Sequence, residues 1–283
     1  MKWQGRTGSK NVSDRRLSKG TAVGGAGIII LLIYTLISGD PSALLGSILN
    51  PSDNANKELT QEEIQMGQFV TVVLHDTETV WTSIFEDYDM TYQPVQLVLY
   101  NDSTNTGCGF ASSSVGPFYC SEDQSIYIDL IFYKQLKTQF NAPGDFAMAY
   151  VIAHEVGHHI QYLTGILEEY NSLRSELSTT DFNQMSVKLE LQADYLAGVW
   201  AKHVQGMGYL EEGDLDEALN AASAVGDDRI QEQATGRVTP DNFTHGTSDQ
   251  RRNWFYKGFT NGDLKEWDTF SAEELSIISG LIS

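Results

Sequence analysis

Residues 153–161 read "AHEVGHHIQ", and they place three histidines within six positions around one glutamate. The overlapping stretch 146–153, "FAMAYVIA", is apolar and predicts a buried helix. On such a helix His154 and His158 lie one turn apart on the same face, where two imidazoles can bind one Zn²⁺. His159 points about 140° away from His154, so we do not expect it to share the ion.

The spacing H-E-x-x-H predicts a catalytic role for Glu155, which takes a proton from water and passes it to the leaving group. A catalytic zinc has a third protein ligand and one open position. Glu190 and Asp194 lie four apart on the helical pattern "KLELQADYLAGVW". We predict that Glu190 is the third ligand and that Asp194 accepts the second ring N–H of a ligand histidine. An ordinary exposed acidic pair is the alternative. The rival ligands are Glu168, Glu169, Asp181 and His203.

Peptide hydrolysis also needs a group that stabilises the oxyanion. His245 lies in the polar, glycine-containing stretch "THGTSDQR", which suits a loop residue of a site. A capping or surface histidine is the alternative, and Tyr209 and Tyr256 are weaker candidates. Arg251 either pairs with an acid near the site or lies on the surface.

The formal net charge of the chain is −20 and is spread unevenly. Residues 1–38 carry six basic residues and one acidic residue, so the remainder carries −25. Such an acidic body is unsuited to nucleic acid, which needs a basic face. The uncharged run 21–38, "TAVGGAGIIILLIYTLIS", favours a transmembrane helix over a cleaved signal peptide or a buried core helix. The positive-inside rule then predicts a cytoplasmic N-terminus and an extracytoplasmic body.

Two cysteines, Cys108 and Cys120, are separated by glycines and serines. In an extracytoplasmic chain this spacing predicts one disulfide bond, with two free thiols as the alternative. Apolar alternation predicts strands at 94–100 and 125–133. The second could pair with an extended peptide along a sheet edge, and the alternative is an ordinary strand of the sheet core. Thr60 with Glu63 predicts a capping box. Helices are predicted at about 145–163, 183–205, 214–224 and 248–261, with a short one from Ser271.

Taken together, these stretches resemble the neutral zinc metallopeptidase family of single-span bacterial membrane proteins. The resemblance covers nearly the whole chain, from "KWQGRTGSKNVSDRR" through "CGFASSSVGPFYCSEDQSIYIDLIFY", "VIAHEVGHHIQ" and "ELQADYLAGVWA" to "THGTSDQRRNWFYKGFTNGD". It implies a zincin-like fold, with His154 and His158 as ligands, Glu155 as the catalytic residue and Glu190 as the third ligand.

This chain departs from the family at two positions where relatives often have cysteine. It has Tyr195 and Trp267 there, which puts in doubt how the C-terminal segment is tied to the helix that carries Glu190.

The expected fold class is α+β, a mostly helical zincin-like domain with a small sheet, preceded by one transmembrane helix. The expected segments are a basic cytoplasmic N-terminus (1–20), the transmembrane helix (21–38), a linker (39–56) and the metallopeptidase-like domain (57–283). The expected function is zinc-dependent hydrolysis of a peptide or protein substrate. The alternatives are a membrane-anchored scaffold with a structural zinc and a zinc hydrolase that acts on other bonds.

Overall fold

A computed structural model of the chain describes residues 1–16 and 59–270. The expected transmembrane helix at 21–38, the expected linker at 39–56 and the short helix expected from Ser271 lie outside the described residues. Within the described ranges the protein is mostly helical with a small sheet, which confirms the α+β prediction.

The secondary structure alternates between short strands and longer helices. The strands are β1 (Val12–Asp14), β2 (Gln96–Tyr100), β3 (Ser103–Thr106), β4 (Gly109–Ser112), β5 (Phe118–Cys120) and β6 (Ser125–Asp129). The helices are α1 (Gln61–Asp87), α2 (Ile131–Thr138), α3 (Asp145–Leu163), α4 (Ile166–Ser172), α5 (Thr179–Gly206), α6 (Asp214–Ala224), α7 (Asp227–Thr235) and α8 (Ser248–Asn261). Helices α3, α6 and α8 have the bounds that the sequence predicts. Helix α5 begins earlier than predicted, because the side chain of Ser178 caps it by accepting the backbone N–H of Asp181.

The main sheet has the strand order β1-β2-β6-β5. Strands β1, β2 and β6 run parallel, and β5 pairs antiparallel with β6 at the sheet edge. Strands β3 and β4 form a separate antiparallel hairpin. The four-stranded sheet packs against α1 and α3, so Leu97, Leu99 and Ile126 share one hydrophobic core with Phe69, Trp81 and Ile152; this core is buried.

The strand predicted at 125–133 is shorter than expected and is not an edge strand. Strand β6 ends at Asp129, whose carboxylate accepts the backbone N–H of Ile131 at 2.9 Å and so starts α2. Because β6 lies between β2 and β5, both of its backbone edges are already paired. The prediction that this strand could bind an extended peptide is therefore wrong, and β5 occupies the edge instead.

Helix α1 begins with the predicted capping box. The Thr60 hydroxyl accepts the backbone N–H of Glu63, and the Glu63 carboxylate accepts the backbone N–H of Thr60. Two donors that the helix leaves unpaired are thereby satisfied. The cap fixes the point at which the chain enters the domain at residue 59.

Residues 1–16 are part of the domain rather than a separate basic segment. Strand β1 pairs in parallel with β2, with Val12 opposite Leu97. The Arg6 guanidinium forms an ion pair with buried Asp76 on α1. At the end of β1, the Arg16 guanidinium donates to the backbone carbonyl of Glu63 at 2.6 Å. The chain therefore leaves at residue 16 and returns at residue 59 on the same part of the surface.

This packing corrects the prediction of a transmembrane helix ahead of the domain. No helix in the described ranges 1–16 and 59–270 is long and apolar enough to cross a membrane. The described part of the expected basic segment 1–20 packs into the domain through β1, because the charge rule takes no account of tertiary pairing, and its cytoplasmic location stays a prediction.

The predicted disulfide bond between Cys108 and Cys120 is present, which confirms that interpretation of the two cysteines. Cys108 follows β3 in the turn of the hairpin, and Cys120 ends β5. The bond therefore ties the β3–β4 hairpin to the edge strand of the main sheet.

Helices α5 and α8 cross unusually closely, and this brings Asp194 of α5 and Arg251 of α8 together. A Cβ on Gly198 would lie 2.0 Å from the backbone oxygen of Phe255, and one on Gly258 would lie 2.0 Å from that of Tyr195. Only glycine permits this approach. The crossing places Arg251 of α8 against the buried face of α5.

The C-terminal segment is held to α5 without a second disulfide bond. The Tyr195 hydroxyl donates to the backbone oxygen of Asp263 at 2.9 Å. The Thr269 hydroxyl donates to the backbone oxygen of Lys188 at 2.7 Å. These contacts attach the C-terminal segment to α5, although Tyr195 and Trp267 lie where relatives often have cysteine.

Candidate metal centre

The structure brings His154, His158 and Glu190 to one point between α3 and α5. One ligand atom from each lies within 4.8 Å of the others. His154 Nε2 is 3.1 Å from Glu190 Oε2, and His158 Nε2 is 3.4 Å from Glu190 Oε1. Ligands about 2.0–2.1 Å from a tetrahedral zinc lie roughly 3.4 Å apart, so this donor set fits a zinc ion with one position open.

The second ring nitrogen of His154 is occupied, which fixes the ring for metal binding. His154 Nδ1 lies 2.9 Å from Asp194 Oδ1, and since a carboxylate only accepts, Nδ1 carries the hydrogen. Nε2 then faces Glu190. Burial opposes the charged ring, but the Asp194 and Glu190 carboxylates raise the pKa of His154 to about 10. In the metal-free site, Nε2 of His154 therefore carries a proton at the position where an ion would bind.

His158 has a comparable partner that the sequence analysis missed. Its Nδ1 lies 2.9 Å from Gln161 Oε1. The Gln161 amide nitrogen donates to the Leu189 carbonyl at 2.7 Å and to Gln192 Oε1 at 3.0 Å, which fixes the amide orientation. The Nδ1 of His158 therefore donates, and its Nε2 faces Glu190. The available signal was position: Gln161 follows His158 by three residues, one turn along the helix.

Asp194 is fully buried and accepts four hydrogen bonds from three residues. It accepts hydrogen bonds from His154, from the Tyr150 hydroxyl at 2.6 Å and from the Arg251 guanidinium at 2.8 and 3.1 Å. The sequence left open whether Arg251 pairs with an acid near the site, and the structure places it there. Tyr150 was missed, although it precedes His154 by one helical turn.

Glu155 follows the first ligand histidine on α3 and is 7% exposed. Burial opposes a positive charge on the His158 ring. The Glu190 carboxylate and, more weakly, the Glu155 carboxylate nevertheless raise the pKa of His158. Glu155 is thus held at the metal centre by its place in the helix.

His159 does not join the metal centre, as the helical spacing predicts. It is 1% exposed, its Nε2 donates to the backbone carbonyl of Gln93 at 2.7 Å, and its Nδ1 lies 3.0 Å from the Tyr119 hydroxyl. Burial lowers the pKa of this ring. His159 therefore connects α3 to the edge strand β5.

His245 is oriented by a carboxylate that the sequence analysis missed. Asp227 Oδ2 accepts the backbone N–H groups of Thr244, His245 and Gly246 at 2.6–3.0 Å. Asp227 Oδ1 lies 3.2 Å from His245 Nδ1. Although burial opposes the charge, Asp227 and the nearby Glu190 carboxylate raise the pKa of His245. His245 is thus within electrostatic range of the metal centre, with Nε2 left free by the Asp227 bond.

The alternative candidates for the third ligand and for the oxyanion stabiliser make other contacts or are exposed. The ring of His203 pairs with the backbone oxygen of Gly262 at 3.0 Å, and Asp181 belongs to the cap of α5. Glu168 and Glu169 are exposed on α4. Tyr209 stacks beneath the Arg6 guanidinium, and Tyr256 is 52% exposed on α8.

A histidine pair on α3 and a glutamate on α5 form a group that could hold a metal ion, in the H-E-x-x-H plus glutamate pattern. The chain belongs to the family described as "Putative neutral zinc metallopeptidase", whose model matches residues 1–270. The match includes the N-terminal segment that pairs in the sheet.

Two bacterial relatives illustrate the family. Uncharacterized protein YpfJ of Escherichia coli strain K12 is 46% identical over 283 residues, covering 95% of this chain and 99% of that protein. Uncharacterized protein Rv2575 of Mycobacterium tuberculosis strain H37Rv is 42% identical over 212 residues, covering 71% of this chain and 69% of that protein. No solved structure matches the chain significantly.

Proposed function

We propose that this protein is a zinc-dependent peptidase in which His154, His158 and Glu190 hold the metal. The observation that carries the proposal is the arrangement of both histidine rings. Each ring donates its Nδ1 hydrogen to a buried acceptor, so each presents Nε2 to the shared position beside Glu190. When bound there, zinc supplies an acidified water and polarises the scissile carbonyl.

Glu155 acts as the general base and then as the general acid. It directly follows His154 in α3, and its negative charge acts on His158, so its carboxylate lies near the donor set. A structural zinc would need no such group and would usually be closed by a fourth protein ligand, often cysteine. Both cysteines of the chain are joined to each other instead.

His245 stabilises the negative charge that develops on the carbonyl oxygen. The Asp227 carboxylate holds the imidazole through Nδ1 and favours its charged form, which is the better donor to an oxyanion. The loop of residues 244–246 wraps around Asp227 Oδ2, so its backbone bonds fix the position of the ring.

The substrate is a peptide in extended conformation. Strand β5 is the edge of the main sheet next to α3, and Tyr119 on β5 contacts His159 of that helix. An extended segment could pair along this edge, next to the helix that carries both histidines. The net charge of −20 argues against a nucleic-acid substrate.

The test is cleavage of a diverse peptide library by zinc-loaded protein, compared with Glu155→Gln. We expect the variant to keep its zinc and to lose at least about 100-fold in cleavage rate. Glu168→Gln, at an exposed carboxylate on α4, is the matched control and should cleave as the wild type does. Equal cleavage by Glu155→Gln would remove Glu155 from the mechanism, and zinc binding without any cleavage would favour a scaffold.

A further inference from the structure

Arg251 is a buried cation that reaches from α8 into the back of the metal centre. Its side chain is 5% exposed. Nε donates to Asp194 Oδ2 at 2.8 Å, and a terminal nitrogen donates to Asp194 Oδ1 at 3.1 Å. This bidentate contact fixes the plane of the Asp194 carboxylate, which a single donor could not do. Oδ1 is thereby turned toward Nδ1 of His154.

The same terminal nitrogen of Arg251 also contacts the ligands themselves. It lies 3.3 and 3.4 Å from the two ring nitrogens of His154 and 3.8 Å from Glu190 Oε2. Because Nδ1 of His154 already carries the hydrogen that it donates to Asp194, this is a contact between a charge and the ring rather than two hydrogen bonds. The same terminal nitrogen also donates to the Tyr150 hydroxyl at 3.2 Å.

The charges at this place explain why an arginine is needed. Asp194 is fully buried and Glu190 is partly buried, and Glu155 adds a third carboxylate nearby. A buried carboxylate that loses its cation is strongly destabilised, and it then turns toward whatever donors remain. Without Arg251, Asp194 would keep only Tyr150 and His154 as donors, and its orientation would no longer be fixed.

We propose that Arg251 is a positioning residue of the metal centre, which clamps Asp194 and thereby holds the His154 ring with Nε2 toward the metal. The proposal rests on the metal site of the proposed function but not on peptide cleavage. A purely structural ion pair between α8 and α5 would also stabilise the fold, but it would leave the zinc affinity of the folded protein unchanged.

The experiment measures zinc affinity by competition with a chromogenic chelator on folded full-length protein. Arg251→Met should weaken zinc binding about 10- to 100-fold, the range for loss of a residue that supports a ligand. Arg252→Met removes the neighbouring, exposed arginine and should bind zinc as the wild type does. Wild-type affinity in folded Arg251→Met would overturn the proposal.

Two further variants keep the test decisive if Arg251→Met does not fold. Arg251→Lys keeps the charge but lacks the planar fork that donates to the two Asp194 oxygens from separate nitrogens, so its zinc affinity should still fall, by less than that of Arg251→Met. Unchanged affinity in the lysine variant would show that the clamp is not needed. In an Asp194→Asn background, Arg251→Lys should weaken zinc binding little further, because both act on His154 through one contact. If Arg251→Lys weakened zinc binding as much in this background as it does alone, Arg251 would not act through Asp194.

Discussion

Gly157, between the two ligand histidines on α3, sets the distance between α3 and α5. A Cβ at this position would lie 3.0 Å from both Cα and the backbone oxygen of Ala193, whereas ordinary contact begins at 3.4 Å. Gly157→Ala must therefore move α5 by roughly 0.4 Å, since backbone atoms cannot rotate away. Ala193 directly precedes Asp194 and follows Glu190 by three residues, so both carboxylates move with it.

This shift is larger than the tolerance of about 0.2 Å for zinc–ligand distances, so we expect zinc affinity to fall by about tenfold or more. Overpacking should cost about 1–3 kcal/mol, offset by about 1 kcal/mol because alanine favours helix. The free energy of unfolding should therefore fall by at most about 2 kcal/mol, and the variant should fold.

The assay pairs chelator competition for zinc with thermal unfolding of the metal-free protein. The control is Gly206→Ala at the end of α5, where a Cβ would meet no atom within 4 Å. It should keep wild-type zinc affinity and be equally or slightly more stable. If Gly157→Ala binds zinc as tightly as Gly206→Ala does, the spacing of the two helices does not control the site.

Other contacts give four further predictions. Asp227→Asn should lower the pKa of His245 and shift the alkaline limb of the kcat/KM profile to lower pH, and an unmoved limb would exclude His245 as the charged donor. The Asp227–His245 pair should stabilise the fold between about pH 4 and 6.5, losing this contribution as pH rises through the raised pKa of His245 or falls through the lowered pKa of Asp227. Replacing Cys108 and Cys120 by serine should lower the free energy of unfolding by about 3 kcal/mol in a denaturant titration, and an unchanged midpoint would contradict this. Because no described cysteine is free, a cysteine introduced at exposed Lys10 and one introduced on the exposed face of α8 can be labelled selectively in whole cells. A membrane-impermeant maleimide should label both or neither, and labelling of only one would contradict the packing of residues 1–16 in the domain.

The helices of the site were predictable because their signals are local. The apolar period of α3 and the four-residue spacing of His154 and His158 lie within one segment, so helical geometry alone selects the ligand face. Glu190 and Asp194 follow the same rule on α5. The bounds of α3 and α8 agree with the sequence for the same reason.

The roles of the missed residues depend on distant segments as well as on local spacing. Gln161 and Asp227 read as ordinary polar residues until α5 and the loop of residues 244–246 pack against them. The error at the N-terminus has the same cause. Charge on either side of an apolar run is a local signal, whereas the pairing of β1 with β2 joins positions more than 80 residues apart.

The most direct test of the metal centre is the zinc content of purified protein, measured by elemental analysis after dialysis against a fixed free zinc concentration. Wild-type protein should hold about one zinc per chain, and Glu190→Ala should hold much less, because two histidines alone make a weak site. Glu168→Ala, at an exposed glutamate on α4, should hold as much as the wild type. Full zinc occupancy in Glu190→Ala would contradict the assignment of Glu190 as the third ligand.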